Sequence, residues 1–156
     1  MPWPTIGCAP HKGRGMKTVP MKSHCTQIKV RTTRRSEVVE ITGRVAESVR
    51  ESGVSEGLTM VTALHTTCAL IINEAEPRLL EDILDLLSRM VPEGGGYRHD
   101  QIDDNAHAHL RSLLLSPTVV IPVRGGRLVL GRWQSVLLVE SDGPRERTLL
   151  IQTLGV

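Results

Sequence analysis

Histidine is the side chain in this sequence best suited to proton or metal chemistry, and the chain holds six. His11 and His24 read as ordinary surface or hydrogen-bonded residues, the common condition of a single histidine. The other four stand where a scaffold presents reactive groups. His65 follows an apolar run of β type, His99 lies in a Gly-rich loop, and His107 and His109 fall at a helix start. Three neutral imidazoles around an open coordination position form a catalytic zinc arrangement that acidifies bound water. The His107-Ala108-His109 pair limits the choice. Two residues apart on a helix point roughly 200° from one another, whereas on a strand they share a face. If the segment is helical, one of the two faces the site. Periodicity leaves both open, because His109 shares a stripe with Leu113 while His107 lies near Leu110 and Leu114.

Other side chains surround these histidines in sequence. Thr66 and Thr67 offer hydroxyls beside His65, but no nucleophile elbow precedes a helix here, so a Ser/His/Asp triad is not indicated. Cys68 reads as a small buried hydrophobe rather than a nucleophile. In the run Gly131-Arg132-Trp133-Gln134, Gly131 allows a turn or a close approach of the backbone. Gln134 offers an amide to a histidine or a substrate. Trp133 reads as a ring that closes the core of the C-terminal strands.

The elements that must position these groups follow from periodicity and turn chemistry. Residues 1–20 carry Pro2, Pro4, Pro10 and Pro20 with Gly7, Gly13 and Gly15, an irregular extension, and Met16 or Met21 offers an alternative start. Thr26 to Thr32 alternates like a half-buried strand. Ser36 is expected to cap a helix in which Val38, Ile41, Val45 and Val49 recur at helical spacing and which Gly53 stops. Leu58–Leu64 and Cys68–Ile72 are short β-type runs joined by His65, Thr66 and Thr67. Pro77 opens a helix whose apolar stripe runs from Leu79 to Met90, ahead of Pro92. Pro92 to Asp103 forms a long loop, and a short helix spans about Asn105 to Leu115. The last third reads as an antiparallel meander over Thr118–Val123, Arg127–Leu130, Gln134–Glu140 and Arg147–Leu154. Strands that do not alternate with helices imply an α+β class, with residues 21–156 as one domain.

Composition bounds what such a domain does. At 156 residues with 40% hydrophobic and 23% charged residues, the chain has the makings of a single folded core. Aromatics make up 2% and Phe is absent, so the core is aliphatic and base-stacking platforms are not expected. Nineteen Lys and Arg against seventeen Asp and Glu give a net charge of +2, too little to mark a nucleic-acid or membrane footprint. Three cysteines without a CxxC pair suggest neither a disulfide framework nor a thiolate zinc site, and a reducing, cytoplasmic setting is expected. No apolar run reaches the length of a membrane span or a secretory signal.

Several motifs, taken in order, resemble the YjbQ-type family. They are His65-Thr66-Thr67, Asn73-Glu74, Tyr97-Arg98-His99-Asp100, Asp104 with His109, Ser116-Pro117-Thr118 to Pro122, Gly126-Arg127-Leu128, Gly131-Arg132-Trp133-Gln134 and Asp142-Gly143-Pro144-Arg145. The resemblance runs from about Thr26 to the C-terminus. It implies a compact α+β fold of antiparallel sheets and helices, assembled as a homotrimer with histidines near subunit boundaries. It also favours His109 over His107, leaving His107 solvated or behind the site. The activity it implies is a secondary thiamine-phosphate synthase reaction, which joins hydroxymethylpyrimidine diphosphate to thiazole phosphate and releases pyrophosphate. Such a site needs Arg forks for phosphate and a divalent cation such as Mg²⁺. Arg145 and Arg124 are candidates for the first task. Glu74 and Asp104 are candidates for the second, with Asp82 reading as the solvated face of its helix. The resemblance thus makes His65, His99, His109, Glu74 and Arg145 the expected catalytic set, and Thr66, Thr67, Asn73, Arg124, Gly131 and Gln134 the expected contacts to a small phosphorylated metabolite. Ala75 departs from the family's usual Asn-Glu-Asn run, and the segment before Pro77 is one residue short. Two alternatives stand beside this reading: a zinc-dependent hydrolase built on the three histidines, and a non-enzymatic trimer that binds a metabolite.

Overall fold

The computed structural model describes residues 19–156, so most of the expected N-terminal extension, with Cys8 and His11, lies outside the described residues. In chain order the elements are β1 (Lys22–Arg31), β2 (Glu37–Glu40), α1 (Thr42–Ser52), β3 (Glu56–Ala63), β4 (Cys68–Asn73), α2 (Pro77–Met90), a short 3-10 helix (Arg98–Gln101), α3 (Ala106–Leu114), β5 (Thr118–Arg124), β6 (Arg127–Leu128), β7 (Ser135–Glu140) and β8 (Glu146–Gly155). The fold is α+β, with two antiparallel sheets. The larger has the order β1-β8-β3-β5-β6 and the smaller β2-β7-β4.

The strand alternation dictates how the sheets pack. Along β8, Arg147, Leu149, Ile151 and Thr153 are buried, while the residues between them are partly or fully exposed. Along β7, Val136 and Leu138 join Leu149, Ile151, Val61, Leu70 and Ile121 in one core between the sheets, closed at one end by Ile41 and Val45. Leu137 and Val139 point the other way and are equally buried, on the side where α2 meets β2 and α3 meets β4. The small sheet is therefore covered on both faces. Gly53 ends α1 in the left-handed region at φ 61°, a conformation a side chain resists.

Two expectations need correction. The helix expected from Ser36 begins at Thr42, because Glu37–Glu40 pairs with β7 as a strand, Val38 opposite Val139. Val38 and Ile41, three residues apart, fit the helical spacing, but the consecutive β-branched Val38 and Val39 suit the edge that β7 leaves open. The Glu37 carboxylate, rather than a Ser36 cap, takes the Thr33 and Arg34 N–H groups at this turn. The meander is also broken. Only β5 and β6 form a hairpin, whereas β7 crosses to the smaller sheet and β8 inserts between β1 and β3. A strand such as Val136–Val139, apolar at consecutive positions, fits only where both faces are covered.

The chain crosses between the sheets three times at one end of the molecule: Thr32–Ser36, Leu64–Thr67 and Ser141–Arg145. A buried ion pair joins the crossings. Arg147 donates from Nε and Nη2 to the two Glu140 oxygens at 2.6 and 2.5 Å, with the side chains 3% and 0% exposed. Glu140 also accepts the Ser141 and Asp142 N–H groups and the Thr32 hydroxyl, and Arg147 donates onward to Thr67 Oγ1. Burial disfavours the Arg147 charge, but its bonds and attraction to Glu140 outweigh this and raise its pKa. Removing one partner of a buried pair leaves the other charge unpaired, at a cost of about 3–5 kcal/mol. Glu140→Ala is therefore expected to lose about that much in urea unfolding, and a loss near zero would mean that water reaches the pair. Cys68 sits beside the same pair, 1% exposed, and burial pushes its thiol up to about 11. In the folded protein at mildly alkaline pH, iodoacetamide should label exposed Cys25 and spare Cys68 until denaturant is added, as peptide mass mapping would show.

Candidate functional site

A cavity of about 450 Å³ opens at the corner formed by these crossings, lined by Leu64, His65, Thr66, Thr67, Asp103, Asn105, His109, Asp142, Arg145 and Arg147. Each wall has a distinct origin. Leu64–Thr67 is the crossing from β3 to β4, Asp142 and Arg145 belong to the crossing from β7 to β8, and Asn105 and His109 come from the start of α3. Ser112 on α3 donates to the Cys68 carbonyl at 2.8 Å, which seats that helix against β4.

The side chains are held by specific partners. His65 Nε2 accepts the Thr148 N–H at 2.8 Å. Partial burial lowers the His65 pKa, as does the charge of Arg147, with the Glu140 carboxylate opposing them and Arg145 adding a lesser lowering effect. Arg145 donates to the Asp142 carboxylate at 2.8 Å and to the Asp142 carbonyl at 2.7 Å, yet remains half exposed at 52%. Asn105 donates to Asp142 and Asp103, while its Oδ1 is buried without a partner. Asp103 and Asp142 thus place carboxylate acceptors along the same cavity as the donors of Arg145, the threonines and His65.

A second cavity, lined by Tyr97, Arg98, His99, Ala106, His109 and Leu110, lies alongside. His109 lines both. Its ring meets that of His99 edge-on, with centroids 5.1 Å apart. The loop carrying His99 is tied at both ends by Arg35, which pairs with Glu93 at 2.7 Å and donates to the Asp104 carbonyl at 2.9 Å.

The expected site residues fall into two groups. His65, Thr66, Thr67, His109 and Arg145 line the corner cavity, with His99 against His109. Asn73, Glu74, Arg124, Gly131 and Gln134 lie at the far ends of the strands. Asn73 ends β4 and Glu74 follows it, at the end away from Thr67, roughly 20 Å along the strand. Arg124 stands opposite Glu56, at the end of β3 remote from His65. Gly131 and Gln134 close a turn on each other, the Gly131 N–H donating to Gln134 Oε1 at 2.7 Å. Trp133, expected in the core, is 63% exposed with the Arg132 guanidinium 4.9 Å from its ring centre. His107 is 1% exposed rather than solvated and is absent from the cavity lining, its Nε2 lying 4.0 Å from Glu93. α3 is helical across both residues, and that separates His107 from His109.

No group of three or more His, Cys, Asp or Glu among the described residues is arranged to hold a metal ion. The three-histidine zinc set does not fit within one chain, since Nε2 of His65 is taken by Thr148 and His99 approaches His109 by its ring edge. Asp104, considered as an oxygen ligand, is exposed, and its neighbour Asp103 lines the cavity instead. Sequence reasoning missed Glu140, Arg147 and Asn105. The signal for two of them was available: Arg147 is in phase with Leu149 and Ile151, and Glu140 with Val136 and Leu138, so charged groups fall at inward positions.

The sequence profile of the family described as "UPF0047 protein YjbQ-like" matches residues 26–156. A UPF0047 protein of Archaeoglobus fulgidus is 45% identical over 128 residues, covering 82% of this chain and 99% of that one. The YugU protein of Bacillus subtilis is 33% identical over 132 residues, covering 82% and 97%. Among solved structures, a YbjQ-like protein of unknown function from Sulfolobus solfataricus superposes with a TM-score of 0.86 at 42% identity, covering 88% of this chain and all of that one. A hypothetical protein from Aeropyrum pernix gives 0.83 at 46% identity, covering 85% and 98%. By the match over residues 26–156 and by the identity and coverage of these relatives, the chain belongs to the YjbQ-like UPF0047 family.

Proposed function

We propose that the corner cavity binds a small phosphorylated metabolite and that the protein is a thiamine-phosphate synthase-type transferase. The observation that carries the binding reading is the donor wall. Arg145, Thr66, Thr67 and His65 border one cavity of ligand size, and an Arg fork beside hydroxyl and ring N–H donors suits phosphate oxygens. The Asp103 and Asp142 carboxylates line the same space, so the fitting ligand carries hydrogen-bond donors as well as an anion. The transferase reading rests on the family resemblance. In it the donor wall receives the diphosphate and stabilises it as pyrophosphate leaves, while His109, at the junction with the Tyr97 cavity, lies beside the reacting carbon.

Calorimetric titration with inorganic pyrophosphate tests the binding reading. Arg145→Ala is expected to weaken binding roughly tenfold or more, the usual worth of a hydrogen bond to a charged group. Undiminished affinity would remove the cavity from consideration. Thiamine phosphate formation from the two phosphorylated precursors, with and without Mg²⁺, then separates a transferase from a silent binding protein.

We also infer that the chain forms a homotrimer. The outer face of the larger sheet supports this, because Leu58, Met60, Val120 and Leu154 are exposed there side by side, Met60 opposite Val120 and Leu58 opposite Leu154. A contiguous apolar patch of this kind marks an interaction surface. Light scattering should return three times the chain mass of 17.2 kDa, and Met60→Glu should lower it. A concentration-independent monomer would overturn the assembly.

A further inference from the structure

The bond between Thr148 and His65 fixes more than the position of the ring. β3 and β8 pair with Val61 opposite Ile151 and Ala63 opposite Leu149, so the next residue, Leu64, stands opposite Thr148. The Leu64 N–H donates to the Thr148 carbonyl at 3.1 Å. In a regular antiparallel pair of this kind the two residues exchange both bonds, and the Thr148 N–H would return to the Leu64 carbonyl. It donates instead to His65 Nε2 at 2.8 Å. The imidazole has replaced a backbone carbonyl as the last acceptor of the ladder.

The chemistry of that exchange is restrictive. A ring nitrogen that accepts an N–H bond carries no proton, and the proton of a neutral imidazole then resides on Nδ1. A proton on Nε2 would set two donors against each other and cost the ladder its final bond. None of the described hydrogen bonds engages Nδ1, and it is not among the buried unpaired nitrogens, so it is the atom His65 presents to the cavity it lines. Thr67 is constrained in the same sense. Arg147 donates to its Oγ1 at 2.9 Å, and because arginine has no acceptor the hydroxyl proton must seek another partner. The His65 ring is thereby fixed as a donor, and Thr67 keeps its hydroxyl proton free beside it.

We propose that His65 is a hydrogen-bond donor held in the Nδ1–H tautomer, directed at the anionic part of the ligand, and that it is not the proton acceptor of the site. His109, whose ring makes no described hydrogen bond, is left to exchange protons. The proposal rests on the anion-binding reading for its ligand, but the position of the proton is a property of the free protein and is measured separately.

Nitrogen-15 NMR of the histidine rings in the full-length protein decides the tautomer. At neutral pH, His65 should show a protonated Nδ1 and a bare Nε2, and should keep both on saturation with inorganic pyrophosphate. An Nε2–H tautomer in the free protein, or an imidazolium in the bound one, would overturn the proposal. Two substitutions separate the nitrogens. His65→Asn places an amide N–H donor near the Nδ1 position, while His65→Gln places a carbonyl near the Nε2 position and keeps the Thr148 bond without a donor to the cavity. Pyrophosphate affinity should stay within a few-fold for His65→Asn and fall roughly tenfold or more for His65→Gln. The reverse order would overturn the proposal. Should the Asn variant not fold, the ring spectrum of the unaltered protein decides alone. A native protein that binds no pyrophosphate would end the anion-binding reading, while the same spectrum still passes judgement on the proton.

Discussion

The carboxylate of Glu140 is where the architecture converges. Two sheets packed face to face need connections that leave one and enter the other, and each connection exposes backbone groups that the ladders no longer satisfy. Here three such connections meet at one end, and one buried carboxylate serves them all. It accepts the Ser141 and Asp142 amides in the crossing from β7 to β8, the Thr32 hydroxyl from the crossing between β1 and β2, and, through Arg147, holds Thr67 in the crossing from β3 to β4. A buried ion pair adds little net stability compared with an apolar pair of the same shape. Its value here is that an apolar pair would strand the amides and hydroxyls of the crossings. The pair specifies which segments meet.

The candidate site is a by-product of that constraint. Crossing segments cannot continue either sheet, so their side chains and amides are free to line a cavity, yet they are fixed by the network beneath them. Such a site combines the accessibility of loops with the rigidity of strands. Thr67 receives a bond from Arg147, Arg145 is spread along Asp142, and His65 finishes the ladder between β3 and β8. On the open side, α3 supplies His109, and Arg35 ties down the loop before it by gripping Glu93 and the Asp104 carbonyl.

Much of this was legible in the sequence, and the rest was hidden for identifiable reasons. α2 and α3 followed from apolar spacing and from Pro77, and His65 at a strand end followed from the β-type runs on either side. The start of α1 was hidden because Val38 stands three residues before Ile41, at helical spacing, while the pairing of Val38 with Val139 that makes it a strand is remote in sequence. The meander was misread because turn signals give the ends of strands but not their partners, and β7 and β8 lie in different sheets although only the short 141–145 segment joins them. The far-end residues Asn73, Glu74, Arg124, Gly131 and Gln134 share motifs with the cavity residues without sharing their place, since a strand of six or eight residues separates its ends by roughly 20 Å or more.

The arrangement of donors and acceptors also separates the chemical readings. A zinc site needs imidazoles that present lone pairs to a common point. In this corner the lone pair of His65 Nε2 is used by the backbone, and Thr67 has spent an acceptor on Arg147. What the wall offers inward is protons, which is the requirement for holding phosphate oxygens and the opposite of that for holding a cation. The lone pairs that remain along the cavity are at Asp103 and the ring of His109. On the proposed reading, a ligand presents its anion to the Leu64–Thr67 and Ser141–Arg145 crossings and its hydrogen-bond donors toward the start of α3. Its orientation is therefore set by the same backbone ladder and buried pair that hold the sheets together.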